Sequence, residues 1–148
     1  MNKAGGGQFL KKSLQEKIDE LREEIDSAKA SRNSESKSSA GDKYETGREM
    51  IQVEINKQEL QLSKTKQLLY ELSSINSSEK HSVVSFGSLI KTDSDYYFIS
   101  IPYGKIEING RICYAVSMAS PLAKNLIGRM PFDEFTFNGE IVKIVHVE

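Results

Sequence analysis

Tryptophan is absent from the 148 residues, cysteine occurs once, and the three prolines all lie beyond residue 101. With Cys113 alone, no intrachain disulfide can form, and neither a disulfide-stapled secreted scaffold nor a zinc ribbon fits. The absence of proline before Pro102 leaves the first two thirds of the chain free for unbroken helix. A net charge of −1 lacks the basic excess of a protein that coats nucleic acid. No apolar run approaches membrane length, and the opening MNKAGGGQFLKK lacks the apolar core of a signal peptide. A reducing cytoplasm is therefore the expected location, with no membrane partner. A Gly-rich phosphate loop, a nucleophile motif and a His/Cys catalytic pair are missing too. His81 and His146 stand far apart with no ligand-spaced partner and read as structural or exposed. Cys113, in an apolar strand, reads as a buried small hydrophobe. No active site of the chain's own is expected.

What is present begins with helix periodicity. Residues 1–7 read as a frayed lead, because AGGG has little helix propensity. From Gln8 to about Ala30, Leu10, Leu14, Ile18, Leu21, Ile25 and Ala28 trace one narrow apolar stripe, the seam of a coiled coil. A second stripe, Tyr44, Ile51, Ile55, Leu62, Leu69 and Leu72, predicts a helix from Asp42 to about Ser73, with Gln58 and Thr65 as polar gaps. The serine-rich stretch Ser31–Gly41 between them is a turn, so residues 8–75 form a helical hairpin whose tip lies at about 31–45. Residues 76–81 form a polar linker.

Beyond it the period changes. Val83–Ile90, Tyr96–Ile101 and Arg111–Met118 are rich in β-formers. Asn109-Gly110 and Asn138-Gly139 are hairpin-turn dipeptides. One short helix interrupts the strands, with Ser120 as N-cap, Pro121 at the first helical position and Gly128 as the stop. The expected fold class is α+β: an antiparallel coiled-coil hairpin, then a small antiparallel sheet domain with one helix over 82–148.

Asp42 and Glu45 at the tip carry the chemistry. Aspartate at an N-cap with glutamate at N3 makes a capping box, favoured further by the helix dipole. Carboxylates at the tip of a long helical hairpin can also reach into a partner, and both readings stay open here. Glu35, on the serine-rich turn, reads as solvent-exposed.

Ser120–Arg129, SPLAKNLIGR, resembles the Ser-Pro-(Ile/Leu)-(Gly/Ala)-(Arg/Lys)-x-Leu-(Ile/Leu)-Gly-(Lys/Arg) signature of the Gre (GreA/GreB) family of bacterial transcription elongation factors. Val83–Ser88, VVSFGS, is similar to the segment leading into that family's FKBP-like C-terminal domain, and the order of elements matches over nearly the whole chain. The resemblance implies an accessory factor that binds bacterial RNA polymerase. The sheet domain would dock at the rim of the secondary channel through Ser120, Pro121, Lys124 and Gly128, while the coiled coil enters the channel. Asp42 and Glu45 would then share a Mg²⁺ with the polymerase, near the 3′ end of backtracked RNA, so that the polymerase cleaves the transcript. It implies no cofactor of the chain's own.

Asp42-Lys43-Tyr44-Glu45-Thr46-Gly47 keeps the family's Asp-x-x-Glu spacing with Gly for the usual Ala. It also resembles the tip of DksA, a non-cleaving regulator of the same channel. A second register, matching Tyr44 to the family's tyrosine, puts Lys37 and Ala40 at the acidic positions. Both registers stay open. Two other classes are a prolyl isomerase, which needs an aromatic-lined pocket, and a coiled-coil adaptor that pairs between molecules. Two stripes of similar length favour pairing within one chain and hence a monomer.

Overall fold

The computed structural model describes residues 1–35 and 42–148, with side chains among them except at positions 35 and 42–44. Over those residues the order is α1 (Lys3–Glu35), α2 (Asp42–Ser73), β1 (Leu89–Thr92), β2 (Tyr96–Ile99), β3 (Gly104–Ile108), β4 (Arg111–Val116), α3 (Pro121–Leu126), β5 (Glu134–Phe137) and β6 (Glu140–Val147). Two long helices, a six-stranded sheet and a short helix make an α+β fold. The chain forms two compact units: Lys12–Leu69, and Met1–Lys11 together with Tyr70–Glu148. No described helix is long and apolar enough to cross a membrane.

In the helical unit the seam follows the expected stripe wherever side chains are described; that of Tyr44 lies outside the described residues. Leu14, Ile18, Leu21 and Ile25 of α1 and Ile55 of α2 are buried, while Ala28, Ile51, Leu62 and Leu69 are half-buried. The polar gaps hold seam positions as well: Gln58 donates to Glu24 Oε2 at 3.4 Å, and Thr65 Oγ1 donates to Gln61 O at 2.8 Å. Lys29 and Glu59 pair across the helices at 3.6 Å. The helix expected to end near Ala30 continues to Glu35. Half-buried Arg32 extends the seam by another turn, its Nη1 donating to Gln52 Oε1 at 2.7 Å. The rest of the turn expected over Ser31–Gly41 lies outside the described residues.

The frayed lead expected over 1–7 is instead helical from Lys3. Three consecutive glycines each cost a helix about 1 kcal/mol relative to alanine, so packing and capping must hold this turn. The Asn2 side chain accepts from Gly5 N at 2.7 Å, an N-cap that accounts for the start. Lys3 is buried and its ammonium donates to the Glu79 carbonyl. Burial pulls the Lys3 pKa down, against the opposing pull of Glu148 and Glu79.

The strand order is β3-β4-β2-β1-β6-β5. An all-antiparallel sheet was the expectation, and β2 with β4 departs from it by pairing in parallel, Tyr96 opposite Cys113 through Ile99 opposite Val116. The cause is local. The Asn109-Gly110 turn closes β3 and β4 into a hairpin that attaches to β2 by its second strand, so the chain must pass one strand position before returning. Both Asn-Gly turns have both residues at positive φ, 53° and 76° in the first, 50° and 79° in the second, as a type I′ turn requires.

Both faces of the sheet are covered at its central strands, β1 and β2. On one, Ile90, Ile99, Ile144 and Val147 pack with Val84 and with Ala123 and Leu126 of α3. On the other, Phe98 stands in register with Leu89 and Ala115 and meets the first turns of α1 at Gly6. The β region expected from Val83 starts as a strand only at Leu89. Before it, Ser85–Ser88 makes a turn in which Ser88 N donates to Ser85 O at 3.0 Å and Gly87 takes φ 89°.

Candidate functional site

Of the two tip acids, only Glu45 has a described side chain. Asp42 is the first residue of α2, and its carboxylate, like the capping box it would form, lies outside the described residues. Lys37 and Ala40, the acidic positions of the second register, lie outside them as well, as does the side chain of Glu35. Glu45 is exposed and shares a shallow open groove with Arg48, Glu49 and Gln52. Those positions are separated by three, four and seven residues, which places them on one face of a helix. Gln52 is held there from both sides, accepting from Arg32 and donating to Asn56 Oδ1 at 2.9 Å. Glu49 is an acid that the motif comparison did not single out; its signal is the i, i+4 spacing from Glu45.

Among the described residues, no three His, Cys, Asp or Glu side chains converge on a point where a metal ion could sit. The described side chains do not make a Mg²⁺ site by themselves.

The second set of residues is built around α3. Ser120 Oγ accepts from Ala123 N at 3.1 Å and Pro121 occupies the first helical turn. The sequence-predicted start of this helix is therefore the observed one. Its end is set by Gly128, at φ 86°, whose N donates to Val84 O at 2.8 Å. Ala123 and Leu126 are buried, which turns Pro121 and Lys124 outward; Gly128 is exposed just beyond the helix. The geometry thus divides the four expected docking residues. Pro121, Lys124 and Gly128 are open to a partner, whereas the Ser120 hydroxyl is engaged in the cap.

His81 has structural partners. His81 Nδ1 lies 2.6 Å from Ser88 Oγ and 3.1 Å from Ser85 Oγ, with Glu79 at 3.7 Å from Nε2. These contacts tie the segment before the sheet to the Ser85–Ser88 turn. His146 is exposed on β6, in register with Lys91. Cys113 is buried in β4, and burial pushes its thiol up to about 12. The aromatic run at Tyr96–Phe98 is used within the sheet. Tyr97 stacks on Tyr114 with centroids 5.7 Å apart, Tyr96 accepts from Arg111 at 2.8 Å, and Phe98 is core. Burial, and after it the Asp95 carboxylate, raises the Tyr97 phenol.

No protein-family model matches the chain, and no curated protein does. Among solved structures, that of the transcription factor Gfh1 is similar over 99% of this chain and 95% of that one, at 18% identity and a TM-score of 0.40. A likeness at that level carries no weight for function.

Proposed function

We propose that this chain is a Gre-like transcription factor that binds bacterial RNA polymerase, with its helical hairpin entering the secondary channel and its tip acids promoting cleavage of backtracked RNA. The observation that carries this reading is the Ser-Pro-capped α3, in the SPLAKNLIGR segment, with Pro121 and Lys124 turned to solvent on a sheet that follows two long helices. The exposure of Glu45 at the start of α2 supports the second half of it. In this reading the protein is an accessory factor. Asp42 and Glu45 contribute oxygen ligands to a cation held mainly by the polymerase, and the polymerase performs the hydrolysis. The factor acts as a cytoplasmic monomer.

The test is cleavage of a stalled, backtracked elongation complex from the cognate polymerase, comparing the wild type with Asp42→Asn/Glu45→Gln. Stimulation by the wild type that disappears in the double variant, with binding retained, is the expected result. Tight binding with no stimulation would make the protein a DksA-like, non-cleaving occupant of the channel and leave the tip acids as a helix cap. Absence of binding would overturn the reading altogether.

A further inference from the structure

Lysines are seldom fully buried, yet Lys3, in the first turn of α1, is 1% exposed. A protonated lysine carries three N–H donors. Among the described residues this one has a single acceptor, the Glu79 carbonyl, and no ion pair. The Glu148 and Glu79 carboxylates act on it through their charge without pairing with it. A buried ammonium in that position costs free energy until its other donors are met.

Lys3 forms one wall of a cavity of about 140 Å³, whose lining lies wholly within the sheet unit. One water needs about 10–15 Å³ of such space, so there is room for a group of several heavy atoms. Gly7 keeps the space open. It stands four residues from Lys3 and four from Lys11, which puts all three on one face of α1 with the glycine between the two lysines. A β-carbon on Gly6 would touch the Phe98 ring at 3.5 Å, but one on Gly7 would meet nothing within 4 Å. Packing thus gives no reason for a poor helix former at position 7. Gln8 and Ser77 add an amide and a hydroxyl at the exposed rim, and Leu72, Ile75 and Phe98 form an apolar back. No carboxylate lines the cavity.

We propose that this cavity binds a small oxyanion, a phosphate or a carboxylate, between Lys3 and Lys11. Two cations with no carboxylate in the lining attract negative charge, and the buried one lies where solvent and salt screen it least. An oxyanion meets the remaining Lys3 donors with charge-assisted hydrogen bonds, the strong kind. The Gln8 amide and the Ser77 hydroxyl are donors for its other oxygens. Bound there, the anion ties the first turns of α1 to the end of α2 and to Phe98 of β2. None of these residues enters the function proposed above, which the site neither needs nor tests.

The experiment titrates inorganic phosphate and, separately, acetate into the isotopically labelled full chain, following backbone amides by NMR at constant ionic strength with chloride as the balancing anion. Saturable shifts centred on residues 3–11 and 72–77 are expected. Saturation by one anion and not the other names its class; saturation by neither, or equal shifts from chloride alone, would overturn the proposal. Lys3→Met, which removes the charge and keeps the length, should weaken binding by roughly tenfold or more. Gly7→Leu, which fills the cavity, should do the same while melting at or above the wild-type temperature, since leucine favours helix over glycine. Lys11→Gln, at the exposed rim, should weaken it by roughly threefold. Undiminished binding in Lys3→Met and Gly7→Leu would move the anion to surface lysines and overturn the proposal. Should those two variants unfold, Lys11→Gln decides: weaker binding supports the site, and unchanged binding overturns it.

Discussion

The helical unit and the sheet unit bury their side chains in different ways. In Lys12–Leu69 each helix presents one stripe to the other and leaves its remaining surface to water, including the exposed apolar residues Met50, Val53 and Leu60 of α2. In the sheet unit the central strands β1 and β2 are covered on both faces, so Ile99 and Phe98, adjacent in sequence, are both buried in opposite directions. A one-seam structure can lose its order locally from an end, whereas a two-faced core loses it cooperatively. Residues of equal burial should therefore matter unequally in the two units.

The largest expected contrast is chemical. Burial raises the Cys113 thiol from 9.0 to about 12, so at pH 8 its thiolate is about a thousandfold scarcer than in the unfolded chain. Labelling by a thiol reagent should be slow in the native protein and fast in urea; rapid native labelling would show that β4 opens easily. A folded pKa above the unfolded one contributes stability in full below pH 9.0, and that contribution is lost as pH rises towards about 12.

Next in size is Phe98→Ala, which should cost about 3–5 kcal/mol in denaturant unfolding of the sheet unit. Ile55→Ala in the helical seam should cost about 2 kcal/mol, the low end for its type, because the helices can close part of the gap. Hydrogen exchange would locate that loss. Faster exchange confined to Lys12–Leu69 sharpens the contrast between the units, while equal acceleration in the sheet breaks it.

Ser120→Ala should remove about 1 kcal/mol through the lost α3 cap, read as a lower denaturation midpoint at unchanged slope. Smallest is the Lys29–Glu59 pair, whose side chains are about half exposed; a double-mutant cycle should return about 0.5 kcal/mol or less. A coupling well above that would mean the seam depends on charge as much as on its apolar stripe.

The stripe residues, both Asn-Gly turns and both ends of α3 were legible in the sequence because each is governed by near neighbours. Period, turn conformation and capping are set within about seven residues. The first turn of α1 was misread because propensity alone decides against three glycines; Asn2 offered a capping signal, but the burial of Lys3 against Glu79 joins residues 76 apart. At the candidate site, the Asp42–Glu45 spacing and the exposed edge of α3 could be read from motifs. The division of labour within that edge could not, since it depends on which side of a short helix meets the sheet.

By itself, then, the sequence determined the helix seam, the hairpin turns and the boundaries of α3, all consequences of local sterics and hydrogen bonding. Only the tertiary structure decided that β4 inserts between β2 and β3, and that Phe132 is held outward at a φ of 75°. The β6 carbonyl that accepts from Phe132 N and the amide that donates to Asp133 O belong to Ile144, a strand away. Local preference opposes a positive φ at phenylalanine, and backbone hydrogen bonds to a fixed strand are strong enough to override it.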